Sequence, residues 1–437
     1  MIELLLYVIL GVLIAIFVSL IPALHIYNVL GIFVLIALGA GGLVPMEFLP
    51  YVFMAMVVTY AIMNTLTAVF LSAPDESMIF VLMPGHKALL RGRAYEVTMM
   101  TAAGSIMGIL LLLLLAPFAT SILPAVRKLV SPHLHWIIGL MGVYIIMSEW
   151  PKTHERYPPG WRKFLAAWRS PAAGLLTFLL SGFLGLIVFN KNILPLGTSF
   201  QALAPVFIGL FAVPSIIINL FAKTKIPAQR IAYSLDFTPD IAVRSTIAGG
   251  LGGLMAATFP IITAGMGALV AGQATAQQDE RVFIMSQGVS KVVYYVGAYL
   301  FFFIPYSGLG KGGLVLIISP FFRSLSINQF ITALAVMMIS AGLAFIALIY
   351  IAKLFAIFIH KINYKLISAI TLVILVSIVF VIGKMAGVFL MIVATGIGLI
   401  PVLYGARRLN CLGVLLLPIS LNMAGIGPKI AHFLGII

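Results

Sequence analysis

Apolar stretches close to twenty residues long recur from Ile2 to the C-terminus, and they restrict this chain to one kind of fold. A helix needs about 20 such residues to cross a hydrocarbon core of roughly 30 Å, and only helices or closed barrels satisfy every backbone group there. About 11–13 segments are present, with cores at 2–21, 24–44, 50–73, 97–123, 134–149, 172–190, 202–222, 245–274, 283–305, 327–352, 366–383, 387–405 and 412–428. No polar region between them is large enough for a soluble domain. Charged residues make up 8% of the 437, against about 25% in an ordinary soluble domain. The expected fold is an all-α polytopic membrane protein forming a single integrated membrane domain. The first stretch follows Glu3 instead of a basic region and ends at no small-residue cleavage site, so it is expected to stay in the mature chain. Cys411 stands alone, which excludes an intrachain disulfide.

Lys and Arg number 26 and Asp and Glu 11, a net charge of +15. The basic residues lie in short loops between apolar runs, where they orient the chain in the membrane; nucleic acid is not an expected partner. Residues 84–93 carry Lys87, Arg91 and Arg93; 151–171 carry Lys152, Arg156, Arg162, Lys163 and Arg169; 223–244 carry Lys223, Lys225, Arg230 and Arg244. All three loops are expected in the cytoplasm, which puts the N-terminus outside.

Residues 244–274 hold eight landmarks unsuited to one unbroken helix: Gly249, Gly250, Gly252, Gly253, Pro260, Gly265, Gly267 and Gly272. The length fits two half-helices turning near Pro260, Thr263 and Gly265. A hairpin entering and leaving on the cytoplasmic side puts 18 basic residues inside and 7 outside with Lys291 in the membrane, whereas a single crossing gives 16 and 9. The stretch from Gly11 through Pro22 to Asn28 offers a counterpart that opens outside. The two broken-helix hairpins then belong to inverted-topology repeats, 1–171 with its basic cytoplasmic loop and 172–437 with the C-terminal helices. Secondary transporters place substrate between such repeats near the midplane.

The span after each hairpin is unusually polar. The first contains Asn64, Thr65, Thr67 and Ser72 and runs into Asp75; the second contains Ser286, Gln287, Ser290, Lys291, Tyr294 and Tyr295, preceded by Gln273 and Asp279. An ammonium within a span normally faces a protein interior and marks a substrate or ion pathway. Helical spacing puts Gln287, Ser290, Lys291 and Tyr294 on one face, where Lys291 supplies charge and its neighbours hydrogen bonds to a carboxylate or phosphate. Asn64, Thr65 and Thr67 are candidates for substrate hydrogen bonds or Na⁺. Helix–helix packing explains the same hydroxyls and amides without a ligand, and a lysine beside backbone carbonyls explains the cation.

Ser72-Ala-Pro-Asp75-Glu-Ser, Met83-Pro84-Gly85-His86-Lys87, Arg91-Gly92-Arg93-Ala94 and Gly104-Ser105-Ile-Met-Gly108 resemble the archaeal branch of the TctA family, over roughly residues 5 to 420. TctA is the large membrane subunit of tripartite tricarboxylate transporters. The resemblance implies an ion-coupled carboxylate carrier working with a small membrane subunit and an extracytoplasmic binding protein. Thr258-Phe-Pro-Ile-Ile-Thr263 departs from the family's Pro-Gly-x-Gly turn, and the chain is shorter than the bacterial subunits.

No His-Glu-x-x-His, Gly-x-Ser-x-Gly or phosphate-binding Gly-x-x-x-x-Gly-Lys-Ser/Thr pattern occurs. An enzyme, a metal site and a cofactor are therefore not expected. The absence of mid-span carboxylates leaves Na⁺ at hydroxyls and carbonyls, with Ser72 and Gln273 among the candidates, or H⁺ at Asp75 or Asp279. The expected function is secondary transport of a small organic anion, a di- or tricarboxylate, by alternating access. Polyprenyl-phosphate or other lipid-phosphate translocation and a non-transporting membrane scaffold are the alternatives, and self-association into a homo-oligomer stays open.

Overall fold

The computed structural model describes residues 2–21, 24–26, 29–31, 33, 44–72, 76–78, 80–152, 160–191, 193–194, 199–221, 225–259, 263–275, 279–304 and 326–436. Among them there is no strand. In chain order the helices are α1 (Ile2–Ser19), α2 (Leu49–Met63), α3 (Thr65–Phe70), α4 (Leu82–Leu90), α5 (Ala94–Val130), α6 (Leu134–Met147), α7 (Trp161–Asn190), α8 (Ser199–Phe207), α9 (Val213–Phe221), α10 (Pro239–Thr258), α11 (Ala264–Thr275), α12 (Glu280–Leu300), α13 (Ile327–Phe358), α14 (Tyr364–Tyr404), α15 (Gly413–Met423) and α16 (Gly427–Phe433). A π-helical turn, Ile208–Ala212, joins α8 to α9. Eight helical stretches among the described residues are long and apolar enough to cross a membrane, so the chain is an all-α, multi-pass membrane protein.

The helices form two compact units, Met1–Leu129 with Ala222–Tyr364 and Val130–Phe221 with Lys365–Ile437. Each is discontinuous in sequence. This division follows packing, whereas the 1–171 and 172–437 division expected from sequence follows internal repetition.

Glycines let the helices of the first unit approach backbone to backbone. A Cβ on Gly249 would meet the Ser286 carbonyl oxygen at 2.4 Å and one on Gly253 the Ser290 oxygen at 2.6 Å, so α10 runs alongside α12 in the same direction. Gly104 faces Met285 and Gly108 faces Val289, which makes α5 a third parallel member. Gly252 and Gly267 abut back to back, folding α11 against α10 as a helical hairpin. Its turn residue Pro260 lies outside the described residues, as do Pro22 and Asn28 of the first expected hairpin. The Thr263 carbonyl accepts from the Met266 and Gly267 amides, starting α11 just before Gly265.

Helix α11 has 12 residues and rises about 18 Å, short of a bilayer's hydrocarbon core. The hairpin also begins and ends at one face of the unit. Arg281 Nη1 at the start of α12 bonds Asp236 Oδ2, just before α10, at 2.8 Å, and Ser245 Oγ reaches the Val282 carbonyl at 3.2 Å.

The other helix pair runs the opposite way. The Tyr7 and Phe48 rings lie 5.5 Å apart and Gly11 packs on Val52, so α1 and α2 are parallel. Tyr299 donates to the Pro50 carbonyl at 2.7 Å and Lys291 to Asn64 at 2.7 Å, so α2 and α12 are antiparallel. Every residue of α2 and α3 is buried, as is α12 from Ile284 onward. The helices that carry Asn64, Thr65 and Lys291 are thus enclosed on all sides.

In the second unit α7 packs on α15 through Gly182, Gly185 and Gly413. The segments expected at 366–383 and 387–405 form α14, broken at Lys384, whose φ of 51° is left-handed. Glu149 is buried after α6, where it accepts from Ser170 Oγ at 2.6 Å, the Arg407 amide at 2.7 Å and Asn410 Nδ2 at 3.5 Å. Lys152 and Ser170 both donate to the Gly405 carbonyl. Glu149→Ala strands those donors and is expected to lower stability by about 2–4 kcal/mol, with Glu149→Gln intermediate, measured by chemical denaturation in detergent.

Candidate functional site

Lys291 occupies the middle of α12, about 16 Å along the helix from its charged start, and is 1% exposed. Half the hydrocarbon thickness is about 15 Å, so this cation sits near mid-span. Its Nζ donates to Asn64 Oδ1 at 2.7 Å and Thr65 Oγ1 at 2.8 Å. Those acceptors stand where the helical register breaks between α2 and α3, at Asn64. Asn64 is held in turn by Ser77 Oγ, 3.4 Å from its Nδ2.

The residues predicted to surround Lys291 divide into four groups. Asn64 and Thr65 contact it directly. Gln287 and Ser290 are buried on the preceding turn of α12; Gln287 Nε2 donates to the Ala268 carbonyl of α11 at 3.3 Å. Tyr294 packs edge-on against Tyr295 with centroids 4.9 Å apart. Thr67 faces elsewhere, its hydroxyl donating to the Asn64 carbonyl at 3.0 Å. Among the described residues, Thr59 Oγ1, Thr263 Oγ1, Gln287 Oε1 and Ser290 Oγ are buried without a hydrogen-bond partner. Such groups are costly in a dry interior. A polar ligand contacting them would remove that cost.

An aromatic cluster extends the site one turn further. Tyr295 Oη and His25 Nε2 share a 2.9 Å hydrogen bond, Tyr60 donates to the Leu24 carbonyl at 3.1 Å, and the Tyr60 and Tyr295 rings meet edge-on at 6.1 Å. Sequence reading missed His25 and Tyr60 as site residues. The available signal was a histidine and a tyrosine in otherwise apolar stretches, and no local spacing links them to Tyr295.

Three of the four coupling-ion candidates, Ser72, Gln273 and Asp279, fall among the described residues. Asp75 is outside the described residues. Gln273 is exposed. Ser72 is buried with a left-handed φ of 49° and bonds His86 Nδ1 at 2.8 Å. Asp279 caps α12, accepting from the Arg281 amide at 2.9 Å and from its guanidinium, about 18 Å from Lys291 along the helix. The Arg281 guanidinium, and then its amide, hold the Asp279 carboxyl below the usual carboxylate range. It therefore stays ionised across neutral pH, which weakens it as a proton carrier.

This pairing has a pH signature. A depressed carboxylate contributes stability that is fully present above its unfolded pKa, near 3.8, and is lost as pH falls through the lower folded value. Asp279→Ala is expected to melt below wild type at pH 7, by about 1 kcal/mol or less for a partly exposed cap. The gap should narrow below about pH 4.

Asp279, Glu280 and Arg281 line a cavity of about 260 Å³ at the start of α12, together with Lys87, Arg91, Arg93, Glu96 and Asp236. Arg93 bonds Glu96 through two nitrogens, at 2.8 and 2.6 Å. Charges of both signs thus gather where α5, α10 and α12 begin, while the membrane-depth interior holds Lys291.

A buried cation at mid-span, between antiparallel polar helices and beside a glycine-packed helical hairpin, defines a polytopic membrane protein built around a polar intramembrane centre. The chain belongs to the tripartite tricarboxylate transporter TctA family, whose family model matches residues 5–413. It is 27% identical over 431 residues to an uncharacterized protein of Methanocaldococcus jannaschii, covering 95% of this chain and 97% of that relative. No solved structure matches.

Proposed function

We propose that this protein carries a small organic anion, a di- or tricarboxylate, across the membrane by ion-coupled alternating access, with Lys291 as the group that meets a substrate carboxylate. The observation that carries the proposal is the buried Lys291 ammonium held by the neutral oxygens of Asn64 and Thr65. A carboxylate exchanging for one of these acceptors gains a charge-assisted bond, and the buried, unpartnered hydroxyl of the neighbouring Ser290 is a candidate donor for its remaining lone pairs. The opposed directions of α1–α2 and α10–α12 support inverted repeats meeting at this site, as in other secondary transporters. In this reading an extracytoplasmic binding protein delivers substrate and a small membrane subunit completes the assembly, following the family's tripartite organisation. Na⁺ at the unpartnered oxygens is favoured as the coupling ion over protonation at Asp279.

Uptake of labelled tricarboxylate into proteoliposomes tests this, with Na⁺ and pH gradients imposed separately and the binding protein supplied. Uptake that follows the Na⁺ gradient is expected. Movement of polyprenyl phosphate without carboxylate uptake would replace the carrier with a lipid translocase, and no flux of either would leave a scaffold.

A further inference from the structure

The second unit carries a groove of about 910 Å³ between α7 and the C-terminal arm of α14. Its lining on α7 falls on one helical face: Arg162, Leu165 and Ala166, Trp168 and Arg169, Ala172 and Ala173, and Leu176, recurring every three to four residues. Ile400 and Tyr404 form the opposite wall. From Arg162 to Leu176 the groove runs about 21 Å along α7, roughly the depth of one leaflet including its headgroup region. The half from Ala172 to Leu176 is apolar, and both arginines stand in the other half, Arg162 at the groove's end and Arg169 at its middle.

That end has the composition of a membrane–water boundary. Trp161, Phe164 and Trp168 are all at least 48% exposed, as interfacial aromatic residues are. The Arg169 guanidinium stacks 4.5 Å over the Tyr404 ring, which fixes its plane and leaves its N–H edge to bond an anion. Among the described residues, neither Arg162 nor Arg169 pairs with a carboxylate. Basic residues above an apolar cleft between membrane helices match a phosphate headgroup above an acyl chain.

We propose that this groove binds a lipid with an anionic phosphate headgroup, its phosphate at Arg162 and Arg169 and an acyl chain against Ala173, Leu176 and Ile400. The site shares no residue with the Lys291 centre and holds whichever solute the protein moves. A neutral phospholipid offers the same acyl chain with no net charge for the arginines. A free phosphate offers the charge with no apolar surface.

Native mass spectrometry after extensive detergent washing, followed by titration with phosphatidylglycerol, phosphatidylcholine or inorganic phosphate, tests the proposal. Wild type is expected to retain phosphatidylglycerol at least tenfold better than phosphatidylcholine. The double variant Arg162→Ala/Arg169→Ala should lose that preference. Lys353→Ala/Lys361→Ala, which removes the same charge elsewhere, should keep it. Ala172→Trp fills the groove with both arginines in place and should also lower retention, which guards against misfolding of the double variant. Equal retention of the two lipids, an unchanged preference in the double variant, a phosphate effect matching that of the lipid, or displacement of lipid only by a co-purifying membrane protein would each overturn it.

Discussion

Lys291→Met is expected to lower tricarboxylate uptake at subsaturating substrate by roughly 30-fold or more while the protein still folds. Truncating one partner of a buried charge pair costs about 2–5 kcal/mol, and each 1.4 kcal/mol is tenfold. Methionine fills nearly the same space with a flexible apolar chain and removes a charge that is expensive to bury. Asn64 Oδ1 and Thr65 Oγ1 lose their donor, a cost offset by removing the desolvation penalty of the buried ammonium, so the melting temperature should remain near wild type. Lys291→Arg keeps the charge and changes the shape of the donor, and is expected to retain only part of the uptake. Initial rates in proteoliposomes, normalised to reconstituted folded protein, provide the check.

Gly288→Ala is expected to be the most damaging small substitution in the first unit. Its new Cβ would lie 2.0 Å from the Thr101 carbonyl oxygen and 3.1 Å from the Ser105 amide nitrogen. Both are helix backbone atoms, which cannot move aside as a side-chain tip can. The helices α5 and α12 must separate, and the loss should be about 3 kcal/mol or more. Because α12 carries Lys291, binding should fall along with stability. Gly104→Ala meets the same seam from the other side, 2.1 Å from the Met285 oxygen, and should behave alike. A methyl group on Gly342 of α13 would meet nothing within 4 Å; Gly342→Ala should raise stability by up to about 1 kcal/mol through helix propensity alone. Thermal melts of the three variants in one detergent separate steric from conformational effects.

Much of the fold was legible because membrane spans announce themselves by length and apolarity. The break between 383 and 387 was visible as a lapse in hydropathy and coincides with the left-handed Lys384. Lys291 was legible for the converse reason, a charge where charges are expensive. The partners of Lys291 were only partly so. Asn64 and Thr65 stand 227 and 226 residues away in sequence, and polarity alone did not separate them from Thr67, which turns back onto its own helix. His25 is 270 residues from Tyr295, a pairing that no periodicity encodes. The glycines of 244–274 suggested a broken helix, yet their larger role is close packing against α11 and α12, which needs the third dimension to be seen. Asp279 shows a local role that its polarity alone did not specify: its position before Glu280 and Arg281 makes it a helix cap.

The measurement that bears most directly on the central claim is the thermal shift of wild-type protein and Lys291→Met with citrate, with and without Na⁺. A ligand at about 100 times its Kd stabilises by roughly 2.7 kcal/mol, enough to move a cooperative melt. Wild type should be stabilised by citrate, more strongly with Na⁺, and Lys291→Met should melt normally but show no citrate shift. An equal citrate shift in both proteins would contradict the assignment of Lys291 as the anion-binding group.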